Sequence, residues 1–340
     1  MTARIIEVIA EDRQTDRIRQ MCEGAGADDV IVGALTDDGR RVIRVATGAL
    51  DRQKLLDQLQ MTLSATSNWR IIILPVEATL PVLEEEIPDT EKAKQKKLTG
   101  GLSREELGAQ MVKGAEFDRN FVLLVTLSAI VAAIGLMEDN VAVVIGAMVI
   151  APLLGPNLAM AFASAVGDGQ MIVKSILTNM AGVAMTLALS ICIGLIFAEN
   201  LQSDELMSRT RVDLDSIAVA LASGAAAALS LTTGLSATLV GVMVAVALLP
   251  PGTTIGIMLG WGQFNLAAQA ALLLAVNVVC LNLSAQIVFR AKGIRPRTWF
   301  AAEKAKRSSR INLAVWTVLL LALAAIIVYQ TQFDIAMDGK

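Results

Sequence analysis

The chain has 340 residues, 54% of them hydrophobic, and a mean hydropathy of +0.59, which is high for a water-soluble protein. The net charge of -3 argues against a nucleic-acid-binding protein, because such proteins usually carry a basic surface. The absence of histidine removes the commonest general base and the commonest metal ligand. No G-x-x-x-x-G-K-[ST] motif occurs, which argues against an ATP-driven pump. We therefore expect no catalytic residue, no cofactor and no metal.

Residues 1–80 have the composition of a small soluble domain. Four strand-like runs and two helix-like runs alternate in the order βαββαβ, which predicts a ferredoxin-like α+β domain. Asp37-Asp38-Gly39 has the chemistry of a hairpin turn between the second and third strands. The amino terminus lacks the apolar core of a signal peptide, so we expect this domain to be cytoplasmic.

Residues 81–120 read as a charged linker followed by a juxtamembrane helix. Glu84-Glu85-Glu86 and a set of lysines make the first part a solvated segment. Ser103 and Glu106 have the spacing of a capping box, which predicts a helix that begins here and runs to about Asn120.

Residues 121–330 are mostly apolar and predict an α-helical polytopic membrane protein with about seven transmembrane helices. No Asp, Glu, Lys or Arg lies in the middle of any crossing, so the carboxylate that usually relays protons in a pump is missing. The seven segments are 121–137, 141–166, 171–198, 216–231, 235–260, 266–289 and 311–329.

Prolines interrupt two of these segments. Pro152 and Pro156 lie in the first, and Pro250 and Pro251 in the second. A proline inside a helix removes a backbone donor, and the freed carbonyl groups need protein or water partners at membrane depth. The two stretches share Gly-x-Met-Val-x-x-x-Leu-Leu-x-Pro at an offset of 95 residues. The pattern predicts an internal three-segment repeat with one broken helix per copy, over about 121–198 and 216–290, and an extra helix at 311–329.

The membrane orientation follows from lysine and arginine, which favour the cytoplasmic side. The basic loop 290–310 and the segment before Phe121 both belong there. Seven full crossings of the cell (inner) membrane then place the carboxyl terminus outside and make the second repeat inverted relative to the first. In an alternative threading each broken segment is a re-entrant hairpin, residues 199–215 lie inside, and the two repeats are parallel.

Inverted repeats with broken helices are a transporter architecture with the substrate site at the breaks. Asn and Thr side chains at membrane depth also act as contacts between helices, and Gly146 and Gly241 could equally serve close helix approach. The candidate substrate-binding residues are Gly146, Pro152, Gly155, Pro156, Asn157, Asn179, Gly241, Pro250, Pro251, Gly252, Thr253, Thr254 and Asn277.

The motif Gly-Ala-Met-Val-Ile-Ala-Pro-Leu-Leu-Gly-Pro at 146–156 resembles the signature of a bacterial and archaeal membrane family, known as domain of unknown function 389 or "uncharacterised hydrophobic domain". Ala-Leu-Leu-Pro-Pro-Gly at 247–252 is also similar to that family. The resemblance covers roughly residues 116–260 and implies an integral membrane protein with a soluble amino-terminal part. It implies no activity and no catalytic residues.

Two functions from different classes fit these patterns. The first is a secondary transporter or channel-like permease for a small solute or ion, indicated by the duplicated broken helix. The second is a membrane sensor or scaffold that signals through its cytoplasmic domain, indicated by the lack of buried charge. We expect contact with the lipid bilayer, a homo-oligomer and no nucleic-acid partner.

Overall fold

The computed structural model describes residues 4–25, 27, 29–47, 52–64, 66–76, 102–197, 202–233, 248–294 and 299–338. The chain divides into two compact units, Met1–Leu107 and Gly108–Lys340. The first unit contains a four-stranded sheet. In the second unit, all the regular secondary structure of the described residues is helical.

The first unit has the predicted element order βαββαβ. Its four strands form one sheet in the order β2-β3-β1-β4, and every neighbouring pair is antiparallel. The elements are β1 (Arg4–Glu11), α1 (Thr15–Gly24), β2 (Asp29–Leu35), β3 (Arg40–Thr47), α2 (Arg52–Leu63) and β4 (Arg70–Pro75).

The core of the first unit follows the periods of its elements. In β1 every second residue is buried, because successive side chains of a strand point to opposite faces. On α1, Ile18 and Cys22 are four residues apart and both are buried against this sheet. Burial raises the pKa of the Cys22 thiol to about 11, so this cysteine stays a neutral packed thiol.

The capping box is confirmed. The Glu106 carboxylate accepts hydrogen bonds from the Ser103 backbone N–H and hydroxyl, both at 2.8 Å, and Ser103 Oγ accepts from the Glu106 N–H at 3.2 Å. The helix that it starts, α3 (Arg104–Gly114), is shorter than predicted. A new helix begins at Arg119, because the Asp118 side chain accepts from the Phe121 N–H and caps it.

Among the described residues, five helices of the second unit are long and apolar enough to cross a membrane. A sixth span results if the bent pair Val141–Ile150 and Leu154–Val166 counts as one. Part of the second predicted broken segment, residues 235–247, lies outside the described residues, so the count of seven stays a prediction. The helices after α3 are α4 (Arg119–Met137), α5 (Val141–Ile150), α6 (Leu154–Val166), α7 (Gly169–Ile196), α8 (Asp204–Ser208), α9 (Leu214–Thr233), α10 (Leu249–Gly260), α11 (Phe264–Ala291) and α12 (Trp299–Asp338).

The helix boundaries repeat at the offset seen in the sequence. Helices α4 and α9 begin 95 residues apart, as do α6 and α10, and α7 and α11. Helices α7 and α11 also end 95 residues apart and have the same length, 28 residues. The offset therefore holds for whole helices as well as for the proline motif.

Hydrogen bonds show which helix ends lie together. The Ser203 hydroxyl, just before α8, donates to the carbonyl of Leu136 near the end of α4. The Trp261 indole N–H, after α10, donates to the carbonyl of Phe197 after α7 at 3.1 Å. At the other end, the Phe162 ring of α6 contacts the Phe289 ring of α11 edge-on, with centroids 5.9 Å apart. Helices α4, α7 and α10 thus finish at one end of the bundle, and α6 and α11 finish at the other.

Helix α10 packs on α7 through a row of glycines. Gly252, Gly256 and Gly260 follow one another at intervals of four residues and lie on one face of α10. A Cβ atom at Gly256 would lie 2.4 Å from Ser190 Cβ, and one at Gly260 would lie 2.7 Å from the carbonyl oxygen of Ile191. Only glycine allows the two backbones to approach this closely.

Candidate functional site

The starts of α6 and α10 meet in one buried apolar cluster, which we call the central cluster. Leu153 and Leu248, which lie 95 residues apart and directly precede α6 and α10, both belong to it. Leu153 faces Gly182, the fourteenth of the 28 residues of α7, so the cluster lies about midway along that helix. Its buried members are Phe121, Val125, Ala132, Ala147, Ala151, Leu153, Leu248 and Leu249.

The prolines lie at or just before the starts of α6 and α10. Pro156 is the third residue of α6, while Pro250 and Pro251 are the second and third residues of α10. The half-buried Pro152 lies in the turn before α6. First-turn N–H groups have no partner inside a helix, so a proline there breaks no helical hydrogen bond. The prolines therefore lie where helices begin, and the 52° bend between α5 and α6 confirms the first predicted break.

Asn157 is the centre of a buried amide network. Its Oδ1 atom accepts hydrogen bonds from Asn179 Nδ2 on α7 at 2.9 Å and from Asn282 Nδ2 on α11 at 3.2 Å. Its own Nδ2 donates to the carbonyl of Leu153 at 2.9 Å. Asn157 and Asn282 are fully buried. The network thus ties the start of α6 to the corresponding long helix of each repeat.

Two side chains on α11 have polar atoms without partners beside this network. Asn282 Oδ1 has no hydrogen-bond partner among the described residues, and the same holds for both Gln286 Oε1 and Gln286 Nε2. Gln286 is fully buried and follows Asn282 by four residues, so the two side chains lie on the same face of α11. We refer to Asn157, Asn179, Asn282 and Gln286 as the amide level.

A second set of unpartnered polar atoms lies at the start of α10. The hydroxyls of Thr253 and Thr254 are buried without a hydrogen-bond partner in the part of the chain that the structure describes, and so is that of Ser190 on α7. Ser190 lies against the Cβ position of Gly256. We refer to these three residues as the hydroxyl level.

Contacts along α7 order the two levels. Asn179 contacts Asn157, Gly182 faces Leu153, and the Thr186 methyl lies 3.8 Å from the Cβ position of Gly252. The seven steps from Asn179 to Thr186 rise by about 10 Å in an α-helix, and the eleven steps from Asn179 to Ser190 rise by about 16 Å. The amide and hydroxyl levels are therefore about 10–16 Å apart along α7, and Leu153 of the central cluster lies between them.

The glycines among the candidate residues have separate roles. Gly155 allows a close contact with α3, because a Cβ atom there would lie 2.5 Å from the Gly114 carbonyl oxygen. Gly252 packs against α7 as described above. Gly146 is exposed, and a Cβ atom there would meet no heavy atom of the described residues within 4 Å, so a close approach to another described helix does not explain it. Gly241 lies outside the described residues.

The structure therefore brings Asn157 and Asn179 into one network and places Thr253 and Thr254 at a second level nearby. Asn277 is 8% exposed and lies on α11, more than one turn before Asn282. Sequence reasoning missed Asn282, Gln286 and Ser190 as candidate site residues. The available signal was the four-residue spacing of Asn282 and Gln286 in the apolar part of α11, which precedes Arg290.

The site holds no charged side chain. Asp139 and Asp168 lie at helix ends, where Asp168 Oδ1 accepts from the Met171 N–H at 3.0 Å and caps α7, while Asp139 Oδ1 accepts from the Glu205 N–H at 2.7 Å. Within the described ranges no group of three Cys, Asp or Glu side chains could hold a metal ion. The chemistry available at the site is hydrogen bonding by neutral amides and hydroxyls.

Comparison with known proteins finds a family and a relative without an assigned activity. A profile described as "Domain of unknown function (DUF389)" matches residues 148–283, which include the prolines of both motifs and the three asparagines of the amide network. The chain is 34% identical over 287 residues to "Uncharacterized protein MJ0678" of Methanocaldococcus jannaschii, an alignment that covers 84% of this chain and 87% of that protein. No solved structure matches the chain.

Proposed function

We propose that this chain, which belongs to the family described as a domain of unknown function (DUF389), is a permease that carries a small solute or ion across the membrane. The observation that carries the proposal is the pair of polar levels on either side of Leu153, with buried atoms unpartnered among the described residues. In this proposal the two levels are parts of one pathway, and the central cluster is the apolar constriction between them.

The energetics favour a pathway over a passive scaffold. A buried polar group without a partner costs about 1–3 kcal/mol, and natural proteins leave few of them. Gln286 alone carries two such atoms in the described structure. A scaffold gains nothing from this cost, whereas a permease needs polar groups that water or a solute can satisfy in passing.

The helix ends support full crossings rather than re-entrant hairpins. Helices α5 and α6 are bent by 52°, so α6 continues in the general direction of α5, while a hairpin would reverse it. The Ser203–Leu136 contact joins the end of α4 to the segment after α7. A re-entrant hairpin between α4 and α7 would instead put these two ends on opposite sides of the membrane.

The same contacts support inverted repeats. Helix α9 begins six residues after α8, which is bonded to the end of α4. Helices α4 and α9, the first of each repeat, therefore start at opposite ends of the bundle. With the basic loop 290–310 in the cytoplasm, we propose that α4, α7 and α10 finish outside and that the carboxyl terminus after α12 is outside too.

We further propose that the first unit is a ferredoxin-like domain in the cytoplasm. Its βαββαβ order and its antiparallel sheet, in which β1 and β3 are central and β2 and β4 are at the edges, support this assignment. Flux measurements decide between a permease and a sensor that signals through this domain: purified protein in liposomes is tested with a panel of ions and neutral solutes. A sensor or scaffold would pass nothing above protein-free liposomes.

Thiol labelling tests the proposed membrane orientation of the chain. Ser208 is exposed and Ser203 is 2% exposed, so they form a matched pair on one short segment. In a background without the three native cysteines, Ser208→Cys should react with an impermeant thiol reagent on intact cells, and Ser203→Cys should react far more slowly. Reaction of Ser208→Cys only after permeabilisation would overturn the proposed orientation.

A further inference from the structure

The unpartnered polar atoms of the amide level indicate which kind of solute the permease would carry. On α11, Asn282 offers a free acceptor, and Gln286 offers both a free acceptor and a free donor group in the described structure. Building on the permease proposed above, we infer that the amide level binds a small uncharged solute that both donates and accepts hydrogen bonds, as an amide or a polyol does.

The assignment of donor and acceptor at Gln286 does not depend on how its amide is oriented. Both the oxygen and the nitrogen lack a partner, so exchanging them leaves one donor group and one acceptor free. Asn282 is fixed by its surroundings, because its Nδ2 atom lies 3.2 Å from Asn157 Oδ1 and 2.9 Å from the Val278 carbonyl, which are both acceptors. A solute at this level therefore meets both kinds of group.

The oxygen atoms of the amide level do not suit a cation. A buried cation requires several oxygen ligands and usually a carboxylate, and no acidic residue lies within the apolar segments. Asn157 Oδ1 already accepts two N–H groups, which leaves it a poor cation ligand. A cation would also leave the Gln286 Nε2 donor without an acceptor.

The site does not suit an anion either. The free oxygens of Asn282 and Gln286 would repel a negative charge. Helices α6 and α10 both begin near the central cluster, but Pro156, Pro250 and Pro251 remove N–H groups from their first turns, and those N–H groups are what binds anions at a helix start. The basic side chains on α7 and α11 lie near helix ends: Lys174 is the sixth residue of α7 and lies 4.0 Å from Glu116, and Arg290 is the second-last residue of α11.

The spacing sets the size of the solute. Residues four apart on a helix have Cβ atoms about 5–6 Å apart, so one small molecule can reach the amide groups of both Asn282 and Gln286. Urea and glycerol have this size and carry donors and acceptors throughout. They are suitable probes of an amide-like and a polyol-like solute.

The test is solute uptake by proteoliposomes, followed by stopped-flow light scattering with urea and with glycerol, beside NaCl and KCl gradients. Three variants lie on α11: Gln286→Met and Asn282→Leu remove the free amide groups, and Ser284→Ala is the matched control. Ser284 lies between them in the sequence, and its buried hydroxyl already donates to the Cys280 carbonyl at 2.8 Å.

We expect urea or glycerol uptake above protein-free liposomes, lowered about tenfold by Gln286→Met, the effect of losing roughly one hydrogen bond in the barrier. Ser284→Ala should transport normally. Uptake of ions or of water alone, with both neutral probes excluded, overturns the inference and leaves the permease standing. No flux of any species overturns both proposals. If Gln286→Met fails to fold, the uptake by Asn282→Leu and the selectivity of the native protein between neutral probes and ions still test the inference.

Discussion

Asn157→Leu is the change that tests the amide network most directly. Leucine has nearly the shape of asparagine, so the substitution removes hydrogen bonds without opening a large cavity. Asn157 makes three of them: to the Leu153 carbonyl, and from Asn179 and Asn282. Side-chain hydrogen bonds between membrane helices contribute ~0.6 kcal/mol each on average. Two of the three bonds join helices, those from Asn179 and Asn282, and they predict a loss of about 1 kcal/mol.

A larger loss would follow if both partner amides were left unsatisfied, since an unpaired buried group costs about 1–3 kcal/mol. The structure argues against this upper value. Asn282 Nδ2 keeps its bond to the Val278 carbonyl at 2.9 Å, and Asn179 is only half-buried, so other groups can solvate it. We therefore expect the free energy of unfolding to fall by the smaller of the two amounts.

The assay is equilibrium unfolding in mixed micelles, with double-mutant cycles that combine Asn157→Leu with Asn282→Leu and with Asn179→Leu. Contacting residues should show a coupling energy, whereas independent sites add within about 0.3–0.5 kcal/mol. The control is Ser128→Ala on α4, because the Ser128 hydroxyl is buried but donates to the Val125 carbonyl of its own helix. Additive effects in both cycles, or an Asn157→Leu protein as stable as the native one, would refute the network.

Three further predictions follow from the packing. Gly256→Ala should lower stability by about 1–3 kcal/mol, because the added methyl group overpacks against α7. Gly146→Ala, with open space around it among the described residues, should be neutral or stabilising by up to about 1 kcal/mol. Thermal melting in detergent measures both variants, and equal effects would contradict the close approach of α10 to α7. Pro251→Ala should change stability far less than the ~3 kcal/mol of a helix-interior proline, which the same melts check. A fragment of residues 1–107 should melt above one of residues 1–80, because Arg104 binds Asp57 at 2.9 Å within the first unit; equal melting temperatures would show that this contact adds nothing.

Several features of the site were accessible from the sequence because they depend on local chemistry. The 95-residue offset predicted two equivalent breaks, and the structure brings Leu153 and Leu248 into one cluster. Asn157 was singled out because it follows a proline motif in a charge-free segment, and it is the centre of the network. The position of the prolines was not accessible in the same way, because it depends on where each helix begins.

The sequence by itself determined the βαββαβ order, the long apolar helices and the repeat, because periodicity, turn residues and hydropathy act within a few residues of one another. Only the tertiary structure decided which polar side chains are functional candidates. An apolar helix in a membrane is apolar on every face, so its pattern cannot distinguish the exposed Gly146 from the buried Gly256, or single out Asn282 and Gln286. Those distinctions depend on which helix packs against which face, and that is set by close backbone contacts between residues far apart in the chain.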